Sequence, residues 1–223
     1  MKNDLEYWKN FWEGQTDPLH TYNDQKYYLD YGRELSLLFH PAPSTILELG
    51  CGSGSLYKPL GFDKADTYVG VDLSDSMLKE FNTSHTGTIL HQGSADTYKD
   101  SNTYDLIFTN GVIQYLSIDM LRNQIQNALE MLAENGAIIH SSIPWDKMRK
   151  QYMKGSLTPP YLGNGIKASL LYFVISLGLK KDKMGRWYSI NDFKTIANEF
   201  NLMVKFYGSM YYPYRFHVVL KRS

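Results

Sequence analysis

The stretch "ILELGCGSGSLYKPL", Ile46 to Leu60, sets three glycines at alternate positions, Gly50, Gly52 and Gly54, directly behind an apolar run. Glycines in the turn after a first strand permit backbone angles that a side chain forbids, and they let the backbone approach a ligand closely. A dinucleotide fingerprint requires G-x-G-x-x-G, whose third glycine opens the helix facing a pyrophosphate. Here Ser55 stands at that third position, which impairs the pyrophosphate reading. The spacing is instead E-x-G-x-G-x-G, with Glu48 on the strand. A carboxylate sits poorly beside an anionic phosphate and well beside an ammonium group.

Outward from this turn, short β-rich runs alternate with helical patterns. The runs are "TILELG", "YVGVD", "TILHQ", "YDLIF" and "AIIHSS". The clearest helical pattern spans Ile118–Ala133, where Leu121, Ile125, Leu129 and Leu132 share a face. Such alternation predicts an α/β fold, a mostly parallel sheet with helices on both sides. Ahead of it, residues 4–40 read as two helices, with Asp4 as a cap and Leu5, Trp8 and Trp12 at helical spacing. The pre-proline break in "HPAPS" ends this N-terminal cap. At the other end, "LMVKFYG" and "RFHVVLKR" are separated only by "SMYYPY", too little chain for a parallel crossover. They should form an antiparallel hairpin, giving seven strands with an antiparallel last one.

The 223 residues suit one domain, and 43% hydrophobic with 21% charged residues is a globular balance. Lys plus Arg equals Asp plus Glu at 23 each, so no net field draws the chain to nucleic acid or anionic lipid. One cysteine excludes an intrachain disulfide and offers nothing for a structural zinc site. The charged start "MKNDLEYWKNFW" lacks an apolar signal core, and the longest apolar run, Ala168 to Leu179, is shorter than the roughly 20 residues that span a bilayer. A soluble, cytoplasmic protein is expected. Tyrosine is abundant at 18 residues, clustered at Tyr27-Tyr28 and Tyr211-Tyr212-Tyr214, and suits pocket walls as well as half-buried surface.

Further signals follow the glycine turn in order. In "YVGVDLSDSMLKEF", Asp72 ends an apolar strand 22 positions after Gly50, where a carboxylate can accept both ribose hydroxyls of an adenosine. "HQGSADTY", "YDLIFTNGVIQYL" and "LAENGAIIHSSIPW" come after it. Together with Glu48 and the glycines, these motifs resemble those of the class I S-adenosylmethionine-dependent methyltransferases, over roughly residues 45–145 and in the C-terminal hairpin. The resemblance implies a three-layer Rossmann-like fold with strand order 3-2-1-4-5-7-6. It also implies S-adenosylmethionine as cofactor and S-adenosylhomocysteine as product. That cofactor carries an α-amino group and a sulfonium, and no phosphate. Its expected contacts are Glu48, Gly50, Cys51, Gly52 and Gly54 in the turn, with Asp72, Leu73 and Met77 near ribose and adenine. Ser94 and Ala95 fall at the adenine edge, Ser94 replacing the acid that the family often carries there, with Asp96 two positions on. Thr109, Asn110 and Gly111 would line the methionine part. Ser74 also reads simply as a helix N-cap, and Met77 as core.

One domain is expected: residues 1–43 as helical cap, 44–145 as cofactor core, 146–188 as a lid insertion, and 189–223 as last helix and hairpin. Ser189 and Asp192 form a capping-box-like pair at the start of that helix. Methyl transfer needs chiefly alignment; an alcohol acceptor also needs its proton removed, whereas a carboxylate does not. Ligands bind outside the carboxyl ends of the strands, which points to Tyr115, Ser142, Ile143 and Trp145. Tyr115 is the candidate catalytic positioning group; Ser142, Trp145 and Tyr161 are candidate substrate contacts. Alternation puts His140 on the face of Ser142 but deeper, as a buried structural histidine. His217 is similar, and no general base is assigned. Lys180, Lys181 and Lys183 flank the apolar run of the insertion, which either buries against the sheet edge or a second subunit or touches a membrane surface. "TPPYLG" resembles the Asp/Asn-Pro-Pro-Tyr motif of adenine-N6 DNA methyltransferases, but that motif follows strand four, and here strand four exits into "TNGV".

The expected activity is methyl transfer to a small-molecule or glycan-like acceptor, at oxygen, by a monomer or homodimer. N-methylation, a nucleic acid or protein acceptor, a catalytically silent cofactor-binding partner subunit and an NAD-dependent oxidoreductase are the alternatives.

Overall fold

The computed structural model describes residues 2–13, 25–39, 41–154, 157, 182 and 184–223. Two helices lead, α1 (Lys2–Glu13) and α2 (Gln25–Ser36). The core then runs β1 (Thr45–Leu49), β2 (Thr67–Asp72), α3 (Asp75–Ser84), β3 (Ile89–Gln92), β4 (Tyr104–Asn110), α4 (Ile118–Met131) and β5 (Leu132–Pro144). A short α5 (Arg149–Met153) follows, and α6 (Ile190–Glu199), β6 (Leu202–Gly208) and β7 (Arg215–Arg222) close the chain.

The seven strands form one sheet in the order β3-β2-β1-β4-β5-β7-β6. β1 pairs in parallel with both β2 and β4, β2 with β3, and β4 with β5. β7 runs antiparallel to both its neighbours, β5 and β6, as the short loop between "LMVKFYG" and "RFHVVLKR" requires. Strand order reverses between β1 and β4, which opens a crevice outside their carboxyl ends.

Successive strand residues feed opposite faces, and both faces are buried. Ile46, Leu106, Phe108, Ile139 and Val219 pack with Tyr31 and Leu35 of α2 and Leu78 and Phe81 of α3. Leu47, Ile107, Ile138 and Val218 pack with Leu121, Ile125 and Ala128 of α4 and Phe193 and Ile196 of α6. The helices start where their caps dictate. Ser74 accepts from the Met77 amide and Ser117 from the Met120 amide, while Ser189 and Asp192 form a full capping box. α1 begins at Lys2, so Asp4 lies inside the helix rather than at its cap. The insertion expected over 146–188 is described only at its two ends.

Candidate active site

The turn after β1 is fixed by its backbone. The amides of Gly50 and Cys51 both donate to the Val71 carbonyl, at 2.6 and 3.0 Å. Gly50 has φ +80, and a Cβ there would meet Val112 Cγ2 at 2.2 Å, so this position accepts no side chain. Gly52 has φ +54, yet a Cβ there would meet nothing within 4 Å. Its bare backbone faces open space, as a turn built for close approach requires. Residues 51–61 continue as turns into a 3-10 helix at Phe62–Lys64, so no regular helix aims its N-terminus at a phosphate here.

Two carboxyl groups stand at this end. Asp72 closes β2; its Oδ2 accepts from the Gly52 amide at 2.8 Å and its Oδ1 from the Ser74 amide at 2.9 Å. These bonds tie the two turns together and leave further lone pairs on both oxygens. Burial nevertheless raises the Asp72 pKa, opposed by the amide bonds. Glu48 is 3% exposed and accepts from the Tyr68 hydroxyl at 2.7 Å. Burial, reinforced by Asp72, lifts its pKa to about 8. Burial also drives the Cys51 thiol well up, which makes it a loop-filling group rather than a nucleophile.

Toward β5 and β7 the polar network changes character. The register between β5 and β7 shifts between His140 and Ile143, and Ser142 takes φ +61. This bulge breaks the alternation that would pair Ser142 with His140. His140 stays on the α6 side, near the Phe193 ring, with its Nδ1 3.0 Å from Thr109 Oγ1. Desolvation lowers its pKa to about 3, so it is neutral. Ser142 turns to the opposite face, where its Oγ accepts from the Tyr31 hydroxyl at 2.8 Å. The Ser142 amide donates to His217 Nδ1 at 3.2 Å, and His217 Nε2 donates to Glu34 at 3.1 Å. Both ring nitrogens of His217 are therefore committed, and burial lowers its pKa. The Ser142 carbonyl accepts from the Arg215 guanidinium, which also donates to Gln114 Oε1 at 2.8 Å. Tyr115 lies under α1, its ring 4.4 Å from that of Trp8 and 6.0 Å from that of Trp12. Burial raises its pKa, so its hydroxyl keeps its proton at neutral pH.

These elements enclose a cavity of about 700 Å³ at the switch point. Glu48, Gly50, Cys51, Gly52, Asp72, Leu73, Met77, Ser94, Ala95, Asn110 and Gly111 all line it, as do Tyr115 and Ser142. Gly54 is not in the wall: a Cβ there would press on the rings of Phe81 and His85 at 3.0 Å. Thr109 points instead to His140, and Trp145 packs on the core by Phe216. The Ser94 hydroxyl donates to the Asp96 carboxylate, which is buried behind the wall. Tyr161 and the apolar run Ala168–Leu179 lie outside the described residues. The wall also holds Gln114, from the motif that carries Tyr115, and Tyr31, Tyr152, Met184, Tyr212, Tyr214 and Arg215, which no motif singled out. For Tyr212 and Tyr214 the tyrosine clustering was the sequence signal.

Sheet order, switch-point cavity and glycine turn define a Rossmann-like fold with a ligand-sized cavity at the switch point. Residues 47–138 match the family model described as a methyltransferase domain. A 102-residue stretch, 42% of the chain, is 31% identical to a probable non-canonical nonribosomal peptide synthetase, CymA, of Salinispora arenicola, and spans 1% of that protein. Among solved structures, the fold is similar to an S-adenosylmethionine-dependent methyltransferase of Leishmania major (TM-score 0.68, 18% identity, 99% of this chain and 82% of that one). It is also similar to a methyltransferase of Clostridium acetobutylicum (0.62, 16%, 90% and 92%). A third is the magnesium protoporphyrin IX methyltransferase of Synechocystis with bound S-adenosylhomocysteine (0.63, 15%, 99% and 100%). Residues 47–138 are thus similar to a methyltransferase domain, and the chain as a whole shares the fold of these solved methyltransferases.

Proposed function

We propose that this chain transfers the methyl group of S-adenosylmethionine to an oxygen of a small-molecule or glycan-like acceptor. The carrying observation is one cavity with two unlike ends: a glycine turn with Glu48 and Asp72 at β1 and β2, and an aromatic chamber at β5 and β7. About 700 Å³ falls within the usual range of roughly 300–1,000 Å³ for ligand sites and suits a compact acceptor beside the cofactor.

The residues present fit the cofactor. Gly52 and Gly111 present backbone with open space where a Cβ would stand. Glu48 would take the α-amino group and Asp72 the ribose hydroxyls. Leu73 and Met77 would flank the adenosine, Ser94 and Ala95 its base edge, and Asn110 and Gly111 the methionine part. When bound, the cofactor supplies a methyl carbon already activated on a sulfonium. The chain's own task is orientation, which alone can contribute roughly 7–11 kcal/mol. Tyr115, held between Trp8, Trp12 and Gln114, would position the acceptor and exclude water.

Oxygen is favoured over nitrogen by charge. Among the described wall residues beyond Gly111, none is a carboxylate that would hold an amine, and Arg215 repels an ammonium. No histidine lines this end among the described residues, so a small-molecule oxygen that ionises by itself fits it better than a sugar hydroxyl, which would need a base.

The test is thermal unfolding with S-adenosylhomocysteine, NAD and NADP in turn, then mass spectrometry of an oxygen-acceptor panel. A ligand at a hundred times its dissociation constant adds about 2.7 kcal/mol. For a domain this size the midpoint rises by roughly 5–11 °C. A rise with NAD alone would overturn the reading. Cofactor binding without one methylated product would leave a silent binding subunit in its place.

A further inference from the structure

The cavity wall contains a cation without a carboxylate partner among the described residues. Arg215 opens β7, paired with Pro144 of β5. Its Nη1 donates to Gln114 Oε1 and the Ser142 carbonyl, and its Nη2 lies 2.9 Å from Met184 Sδ. The guanidinium is wedged by rings, its carbon 5.8 Å from the Tyr212 centroid and 5.5 Å from that of Tyr214. The nearby carboxylates are taken: Glu34 is engaged by His217 and two amides, and Asp182 by Arg149 and Trp187. The Nε–H and one Nη2 hydrogen have no acceptor among the described residues. A half-buried charge in an aromatic chamber is costly until an anion meets it. A guanidinium edge with two parallel N–H groups matches a carboxylate.

We propose that the methyl acceptor carries a carboxylate and that Arg215 is the residue that receives it. The inference rests on the methyltransferase reading above. The cofactor's own carboxylate is the competing occupant. Arg215 opens β7, two strands along the sheet from the β4 end formed by Asn110 and Gly111, and its guanidinium is held by the Ser142 carbonyl and flanked by Tyr212 and Tyr214; the affinity of Arg215→Met for S-adenosylhomocysteine separates the two occupants. The surrounding rings of Tyr31, Tyr152, Tyr212 and Tyr214 suit an aromatic or apolar body behind the acid. A carboxylate also needs no base, and this end offers none.

The experiment uses the full chain saturated with S-adenosylhomocysteine, probed with benzoate, phenylacetate and indole-3-acetate, each against its neutral primary amide. Acids at ten times their dissociation constant should raise the unfolding midpoint by roughly 3–6 °C. The amides should not. Arg215→Met should abolish the acid response and leave affinity for S-adenosylhomocysteine unchanged. Arg215→Lys, which keeps the charge but not the fork, should weaken acid binding on the order of tenfold and carries the test if Arg215→Met does not fold. Acids no better than amides, or acids binding Arg215→Met as they bind the wild type, would overturn the assignment. A tenfold loss of S-adenosylhomocysteine affinity in Arg215→Met would also overturn it, by giving Arg215 to the cofactor. A wild-type midpoint unmoved by S-adenosylhomocysteine would instead sink the methyltransferase reading beneath it.

Discussion

Replacing Glu48 by glutamine separates two consequences of burying a carboxyl group beside the proposed cofactor site. The amide oxygen introduced by Glu48→Gln can still accept from the Tyr68 hydroxyl, and the side chain no longer titrates. In the wild type, burial carries the Glu48 pKa from its ordinary 4.5 to about 8. Below pH 4.5 the folded and unfolded chains both hold this proton. Between 4.5 and about 8 only the folded chain holds it, so wild-type stability falls as pH rises through that window. Above 8 both forms are ionised and the loss is complete. Each pH unit inside the window is worth about 1.4 kcal/mol, so the step from pH 5 to pH 7 costs the wild type about 3 kcal/mol that Glu48→Gln does not lose.

For a domain of this size that difference widens the gap between the two unfolding midpoints by roughly 6–12 °C from pH 5 to pH 7, with the variant higher. Cofactor binding should go the other way. An ammonium at Glu48 stabilises the carboxylate, so S-adenosylhomocysteine should bind the wild type more tightly as pH rises toward 8 and release a proton. Glu48→Gln should bind it more weakly, by about 1.5–3 kcal/mol, and lose that pH dependence. The assays are thermal unfolding at pH 5 to 9 and calorimetric titration at pH 6.5 and 8. If the two unfolding profiles stay parallel across pH 5 to 8, Glu48 is already ionised in the free protein and the burial argument fails.

Asp72→Ala removes the acceptor for the Gly52 and Ser74 amides together with the proposed ribose ligand. S-adenosylhomocysteine affinity should drop by a few kcal/mol, at about 1.5–3 kcal/mol per bond to a charged group; unchanged affinity in titration would refute the ribose assignment. Gly52→Ala places a side chain at φ +54 on the open face of the turn. It should cost about 1–2 kcal/mol of stability, measured in urea, and reduce cofactor affinity by more than that strain explains. Phe193→Ala empties a fully buried site between Tyr188, His140 and Phe216. About 3–5 kcal/mol of unfolding free energy should go, with cofactor affinity intact once the protein is folded.

Most of the fold was legible because its signals are local. Ser189 and Asp192 announce a helix start three residues apart, and the structure closes that capping box. The short loop before Arg215 forces β7 antiparallel whatever the rest does. The apolar strands announce a doubly covered sheet, since β1, β2, β4, β5 and β7 each feed both cores. Asp4 misleads for the converse reason. A good capping residue marks only where a helix is able to start, and α1 already begins at Lys2.

The β1–β4 wall of the cavity was legible for the same reason, since each motif sits at the end of one strand and answers to one segment of chain. The β5–β7 wall was not, because it is assembled across the sequence. Tyr31 and Ser142, 111 positions apart, meet only after α2 has packed on the sheet. Arg215 reaches Ser142 over 73 positions and Gln114 over 101. One backbone irregularity decides which residues belong to that wall. Strict alternation along β5 would set His140, Ser142 and Pro144 on one face. The left-handed Ser142 inserts an extra step, so His140, Ile143 and Trp145 all face the α6 core and Ser142 faces the cavity. The bulge exists in the pairing of β5 with β7, and its Ser142 is held from both sides: the amide by His217, the carbonyl by Arg215. Sequence periodicity reads one strand at a time, so a feature that is a property of two strands stays invisible to it. The β5–β7 wall is written in that pairing, in a serine turned toward the cavity by a strand it meets some seventy residues later.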